Sequence, residues 1–327
     1  SYEDRPAAAV GVKLLVTSLA RHWPGVEVDL TFPGASFELQ DFCARHHVRL
    51  RTEAPERRRG WDVKPFLLLR ALNEGADRAV WLDSDLMLAA DPRPLLTPLR
   101  EADLLVGEDV FGQPHRGGDA RTRWWKLPVG RVLGETVNTC VLGATQTHRA
   151  LLTAWDDLLL SGTYAAEQAR PWDARNDLVF GDQDVLTALL GSEAFAHVPL
   201  TWLRRGRELV HCHEPVGYHL HERLANLLAW RRPTFLHSHG SKLWQPRELR
   251  SLHLELSSYT LEATRHTDEL PELVQLTRTT RWPATLLRAL LGNRPTLTAL
   301  PYALLVELTR QPLLRTWWRE RRAPSAS

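Results

Sequence analysis

Arg78-Ala-Val-Trp-Leu-Asp-Ser-Asp-Leu-Met-Leu88 is the stretch on which the reading of this chain turns. Its apolar run, residues 79–82, has the length and composition of a buried parallel strand. The run stops on two carboxylates one residue apart, Asp83 and Asp85. Ligands of open α/β sheets gather outside the carboxyl ends of the strands. Paired acids at that edge suit a hard divalent cation, which takes carboxylate oxygens and keeps positions open for substrate phosphates. Side chains alternate along an extended chain, so both acids reach one ion only if the backbone turns between them. The plain alternative is an Asp-rich turn without a metal, since Asp favours turns.

The flanking segments alternate between helical and strand periods. Upstream, residues 10–22 are predicted as an amphipathic helix with Val12, Leu15, Val16, Leu19 and Ala20 on one face. Pro24-Gly25 ends it, residues 26–32 alternate like a strand, and Ser36 caps a helix over 37–46. A short strand over 48–50 and a helix over 66–72 precede the central stretch. Downstream, residues 104–106 and 137–143 read as strands and 147–160 as a helix, and Gly181-Asp-Gln-Asp184 opens a helix running to Leu190. Residues 112–135 lack a period and read as a long loop over the sheet edge, of the kind that often carries function. The alternation predicts an α/β fold with a mostly parallel sheet. Residues 194–239 are short strands and loops rich in histidine, and from about 250 the pattern is helical and punctuated by proline. The division expected is a catalytic domain over 1–250 and a helical, basic extension over 251–327.

At 327 residues with 43% hydrophobic and 24% charged residues, the chain can bury a sizeable core. The net charge is only +2, which gives no global field for nucleic acid. The charge is unevenly placed, because residues 281–327 hold eight Arg against two Glu, a local +6 that leaves −4 on residues 1–280. Cys43, Cys140 and Cys212 are odd in number and far apart, so neither a disulfide framework nor a zinc ribbon is indicated. A reducing cytosol is the expected setting. No run of 18 apolar residues and no signal-peptide pattern is present.

Three further stretches carry chemistry. Asp182, Gln183 and Asp184 stand at a predicted helix start, where carboxylates also serve as simple caps. Val137-Asn138-Thr139-Cys140 puts an amide at a strand edge, able to bind a sugar hydroxyl. His237-Ser-His239-Gly240-Ser-Lys242 offers imidazole ligands, a glycine for close backbone approach and a cation to oppose a diphosphate. Together with Leu82-Asp83-Ser84-Asp85, these motifs resemble the retaining GT-A glycosyltransferases of family 8, the glycogenin and lipopolysaccharide galactosyl- and glucosyltransferase group. The resemblance covers roughly residues 7–245. Three departures stand out: Cys140 where glycine is usual, Thr187 where asparagine is usual, and a histidine–lysine motif one residue short without its proline.

The resemblance implies a GT-A fold and a metal-dependent transfer of a hexose from a nucleoside-diphosphate sugar, UDP-linked, to a saccharide or lipid-linked acceptor with retention. It implies Mn²⁺ (or Mg²⁺) on Asp83, Asp85 and His237, with His239 a competitor for the histidine position. Lys242 would oppose the leaving diphosphate, Asp182 would hold donor hydroxyls, and Gln183 would present its carbonyl to the anomeric carbon. Asn138 and Gly240 would line the donor site. Lys64, in Trp61-Asp-Val-Lys-Pro65, is similar to a donor-contacting lysine of the family, or is a surface residue at a helix start. Ser1-Tyr2-Glu3-Asp4-Arg5 looks like the loop after the family's first strand, with that strand itself absent. A rival class is a zinc hydrolase built on His197, His211, His213, His219, His221, His237 and His239, and a third is a sugar-nucleotide-binding module without turnover. In the tail, Leu286, Leu287, Leu290, Leu291, Leu313, Leu314, Trp317 and Trp318 mix with Arg288, Arg310, Arg315, Arg319, Arg321 and Arg322. That composition fits either peripheral contact with an anionic membrane at its cytoplasmic face or packing on the catalytic domain.

Overall fold

The structure, a computed structural model, describes residues 1–274 except Arg57, Arg59 and segments 111–115, 213–223, 226–227, 230–231, 247–248, 251–253 and 255–256. Beyond these it describes Leu300, Pro301, Leu304 and Leu308, so the basic tail expected over 281–327 lies outside the described residues apart from these four. The chain divides into two compact units, Ser1–Arg205 and Gly206–Ser327.

The first unit opens with helix α1 (Ala9–His22), strand β1 (Asp29–Thr31), α2 (Phe37–Arg45), β2 (Arg49–Arg51) and α3 (Lys64–Asn73). Next come β3 (Arg78–Leu82), β4 (Leu86–Leu88), the single-turn α4 (Arg93–Leu96) and β5 (Leu104–Glu108). It closes with α5 (Ala120–Trp124), β6 (Val137–Thr145), α6 (Arg149–Leu159), α7 (Gly162–Gln168), α8 (Asp182–Gly191) and β7 (Leu200–Leu203). Four strands form one sheet in the order β3-β6-β5-β7. β1 pairs with β2 and β5 with β7 in parallel, whereas β6 runs antiparallel to both of its neighbours. β6 follows a long excursion rather than a helical crossover, and only a crossover obliges the next strand to be parallel.

β5 shows why the sheet holds. Leu104, Leu105 and Val106 are all fully buried, which needs cover on both faces and explains their unbroken apolar run. Each such side chain contributes about 1.5–3 kcal/mol. α3 and α8 pack against α6, and α8 also lies on β6, around a core that includes Trp81, Val137, Trp155, Tyr164 and Leu186. Helix α2 starts as expected, with Ser36 Oγ accepting from the Leu39 N–H at 3.2 Å.

Three expectations change. Helix α1 is buried from Gly11 to Leu19, Lys13, Thr17 and Ser18 included, while Ala20 is exposed. It is therefore an interior helix rather than an amphipathic one. Thr17 and Ser18 hydroxyls donate to carbonyls of the preceding turn, and Lys13 pairs with Glu38 of α2 at 2.6 Å. The excursion expected as pure loop contains α5, tied down by Thr122 Oγ1 donating to the Ala188 carbonyl at 2.9 Å. The opening residues, read as a loop beyond a strand, run parallel beside β1: Glu3 N–H donates to Thr31 O and Thr31 N–H to Ser1 O, both at 3.0 Å.

In the second unit, β8 (Leu209–His211) and β9 (Phe235–His237) are parallel, with His211 in register with His237, and a helix, α9 (Ser258–Ala263), follows. Among the described residues no helix is long and apolar enough to cross a membrane.

Candidate active site

The two acids of the central stretch stand where the backbone does turn. β3 ends at Leu82, and the Leu86 N–H donates to the Asp83 carbonyl at 3.1 Å, closing a turn over Asp83-Ser84-Asp85-Leu86. The turn brings a carboxylate oxygen of Asp83 within 4.8 Å of one of Asp85, a gap that a single divalent ion spans. β4 then buries Leu86, Met87 and Leu88 completely, and Ser18 accepts from the Leu88 N–H, so the turn is anchored on both sides. Trp81 Nε1 donates to Asp83 Oδ1 at 2.6 Å. Below the turn, Ser84 Oγ donates to Glu3 Oε2 at 2.7 Å, and Glu3 is held in turn by the Arg5 guanidinium.

Lys64 is no surface residue. It is buried at the first turn of α3, its Nζ 3.1 Å from Asp83 Oδ1 and 3.3 Å from Asp182 Oδ2, and it donates to Thr139 Oγ1 at 2.8 Å. The Thr139 hydroxyl passes the bond on to Asp182 Oδ2 at 2.7 Å. Burial works against the Lys64 ammonium, but Asp182 and Asp83 hold its pKa above the ordinary lysine value. Burial likewise pushes Asp182 above the usual carboxylate range, opposed by Lys64 and the Thr139 hydroxyl. Trp155 Nε1 fixes the Asp182 backbone by donating to its carbonyl at 2.9 Å.

The two acids at the start of α8 divide the two readings between them. Asp184 is the cap: its Oδ2 accepts from the Gly181 N–H at 3.0 Å, and its Oδ1 accepts from the buried Arg121 at 2.7 Å. Asp182 instead turns to Lys64 and Thr139 and does no capping. Gln183, between them, is partly exposed, and its Nε2 donates to Asp109 Oδ2 at 3.0 Å. Asn138 Nδ2 donates to Asp109 Oδ1 at 2.7 Å, while Asn138 Oδ1 accepts from the Cys140 N–H.

Asp109 is a candidate site residue that motif reading misses, because it accepts from both Asn138 and Gln183. Burial lifts it to a pKa of about 6, against the pull of Asn138 and the Val110 N–H. Its only signal in sequence is that Glu108-Asp109 are acids at the end of an apolar strand, as Asp83-Ser84-Asp85 are, but adjacent rather than one residue apart. The register between β5 and β6 slips after Val106, so that Gly107 faces Asn138 instead of continuing along β6. This irregularity sits beside the clustered side chains, as bulges near active sites do. Asn138 meets Asp109, while the next residue, Thr139, meets Lys64 and Asp182.

The histidine motif belongs to the second unit. His237 Nδ1 lies 2.9 Å from His211 Nδ1, so one of the two rings donates. His239 is stacked edge-on 5.4 Å from the His237 ring, and its N–H donates to the His237 carbonyl. Gly240 has φ +84°, the left-handed region that favours glycine, and Lys242 Nζ donates to the Ser238 carbonyl. His213, His219 and His221 lie outside the described residues, and His197 is an exposed residue of the first unit.

No family model and no curated protein matches the chain. Solved structures do. The bifunctional glycosyltransferase WbbM in its apo form is similar over 85% of this chain and 50% of its own, at 15% identity and a TM-score of 0.51. An active-site mutant of LgtC is similar over 81% of this chain and 94% of its own, at 14% identity and a TM-score of 0.50. The fold is that of the GT-A glycosyltransferases. The chain spans about half the length of WbbM. On this GT-A fold, Asp83, Asp85, Lys64, Asn138, Asp182 and Gln183 all belong to the first unit, whereas His237, Gly240 and Lys242 belong to the second.

Proposed function

We propose that the protein is a glycosyltransferase that moves a hexose from a nucleoside-diphosphate sugar, UDP-linked, to a saccharide or lipid-linked acceptor with retention of configuration. The paired acids at the end of β3 are the observation that carries this reading. A carboxylate oxygen of Asp83 lies within 4.8 Å of one of Asp85, a separation that one divalent cation bridges, and an all-oxygen donor pair suits Mn²⁺ or Mg²⁺. Asp83 and Asp85 would hold the ion, with His237 as the third ligand on the strength of the motif resemblance. Such an ion, when bound, supplies electrostatic stabilisation to the diphosphate.

The chain's own residues do the rest. Asp182, whose Oδ2 is taken by Thr139 and Lys64, offers Oδ1 to donor hydroxyls. Asp109 accepts from the Gln183 amide nitrogen, which turns the Gln183 carbonyl oxygen away from Asp109 and toward positive charge building on the sugar ring. The bond from the anomeric carbon to the phosphate oxygen breaks with its electron pair on the phosphate. The acceptor oxygen bonds to the same face, and its proton goes to the leaving phosphate. An amide is a poor covalent nucleophile, which favours this single-face route. Lys242 opposes the charge left on the diphosphate.

Calorimetric titration of UDP with Mn²⁺, together with mass detection of hexose transfer from a panel of UDP-hexoses, tests the reading. Native protein should bind UDP only with the metal, and Asp83→Asn or Asp85→Asn should abolish both binding and transfer while unfolding stays cooperative. Near-normal turnover in either variant would remove the metal assignment.

A further inference from the structure

Two of the exposed large hydrophobic side chains among the described residues of the first unit are indoles, and they meet beside the candidate active site. Trp61 is 41% exposed and Trp172 is 58% exposed, yet their ring centroids lie 6.2 Å apart at 57°. They come from segments more than a hundred residues apart, each in a 3-10 turn. Phe180 packs edge-on against Trp172 at 4.1 Å, and the Arg175 guanidinium lies 5.2 Å from the Trp172 ring. Each partner is tied to the charged cluster by short sequence. Trp61 is three residues before Lys64, Phe180 is two before Asp182, and Trp61 Nε1 lies 3.9 Å from the position of a Cβ on Gly181. Beside Trp61, the partly exposed Asp62 accepts from the Tyr164 hydroxyl at 2.7 Å, and its charge is near enough to Asp182 for the two to repel.

A single half-exposed indole would be ordinary, but two that meet at the surface make a contiguous exposed apolar patch, and it is such a patch that points to a ligand. A pyranose is the ligand whose shape fits it. One face of the ring is a patch of C–H groups that stacks on an electron-rich aromatic plane, and its rim is hydroxyl groups that a carboxylate accepts. We infer that Trp61 and Trp172, with Asp62 at their edge, form a subsite for the pyranose ring of the acceptor saccharide, next to the Asp182 cluster. The inference deepens the transfer reading above and rests on it for the word acceptor. The stacking itself is measurable without transfer.

Saturation-transfer NMR with the methyl pyranosides of galactose, glucose and N-acetylglucosamine, and glycerol as a control without a ring, tests it on the full chain. Native protein should saturate ring C–H protons of at least one pyranoside and none of glycerol. Trp61→Ala and Trp172→Ala should each lower that signal about fivefold, and Trp172→Phe should keep most of it. Binding of UDP with Mn²⁺, measured in parallel, should be unchanged in all three variants. Equal saturation by the alanine variants, or no pyranoside signal from native protein, overturns the subsite. Pyranoside signals that depend on the two tryptophans in a protein that does not bind UDP would keep the sugar subsite and sink the donor reading instead.

Discussion

Asp109→Asn separates a residue that serves the reaction from one that serves the fold. The carboxylate accepts from Gln183 at 3.0 Å and from Asn138 at 2.7 Å, and an asparagine keeps the shape but has only one oxygen for two amide donors. Losing a hydrogen bond to a charged group is worth about 1.5–3 kcal/mol, which corresponds to roughly a 10- to 100-fold fall in turnover if the bond orients Gln183 for the transition state. Stability moves the other way. Burial raises the folded pKa from 3.8 to about 6, a shift worth roughly 3 kcal/mol. Because the folded value lies above the unfolded one, the ionised carboxylate lowers stability above about pH 6, and that cost disappears as the pH falls through about 4. The neutral asparagine removes this cost, which offsets the lost hydrogen bonds, so urea midpoints at pH 8 should be equal to or above native. Turnover, followed as UDP release from a UDP-hexose with Mn²⁺, should fall while donor affinity changes little. The native rate should also decline as pH drops through about 6, where Asp109 gains a proton and ceases to be a pure acceptor, and the variant should lack that limb. Gln183→Ala should lower turnover as well, and the double variant should lose no more than the worse single one, since both remove the same interaction. A variant with native turnover and a clearly lower urea midpoint would show that Asp109 only braces β5 and β6.

Lys64→Met leaves Asp83 and Asp182 without their buried counter-charge, so unfolding free energy at pH 7 should fall by about 3–5 kcal/mol and recover partly in acid, where the acids are protonated. His237→Ala should raise the Mn²⁺ concentration needed for half-maximal activity about tenfold or more, the usual worth of a ligand or its support. If His239→Ala is the damaging change, the short motif aligns the other way. For the basic tail we propose reversible binding to an anionic surface, each arginine adding about 1 kcal/mol. Co-sedimentation with anionic vesicles should then fall with salt and vanish on deleting residues 311–327, and equal binding by the shortened protein would exclude it.

Local chemistry was enough to pick out much of this candidate site. The turn at Asp83-Ser84-Asp85, the start of α8 at Asp182 and the cap on α2 depend on a few consecutive residues, so their cause lies in the sequence itself. The α/β alternation is likewise a property of local period. Motif resemblance brought out Lys64 but left its setting undecided, because a lysine at a helix start has the same neighbours in sequence whether it is buried or solvated. Only tertiary structure decided that it stands between Asp83 and Asp182, residues 19 and 118 positions away. It also decided which of two adjacent acids caps α8 and which faces the cluster, because Arg121, which claims Asp184, comes from a helix within a segment that has no period of its own. The acids at the end of β5 were visible in sequence, but the setting of Asp109 and the pairing of Trp61 with Trp172 were not, for the same reason. Their partners are set by the register slip between β5 and β6 and by the packing of turns far apart in the chain, and no spacing along a sequence encodes a distance that exists only after the sheet has formed.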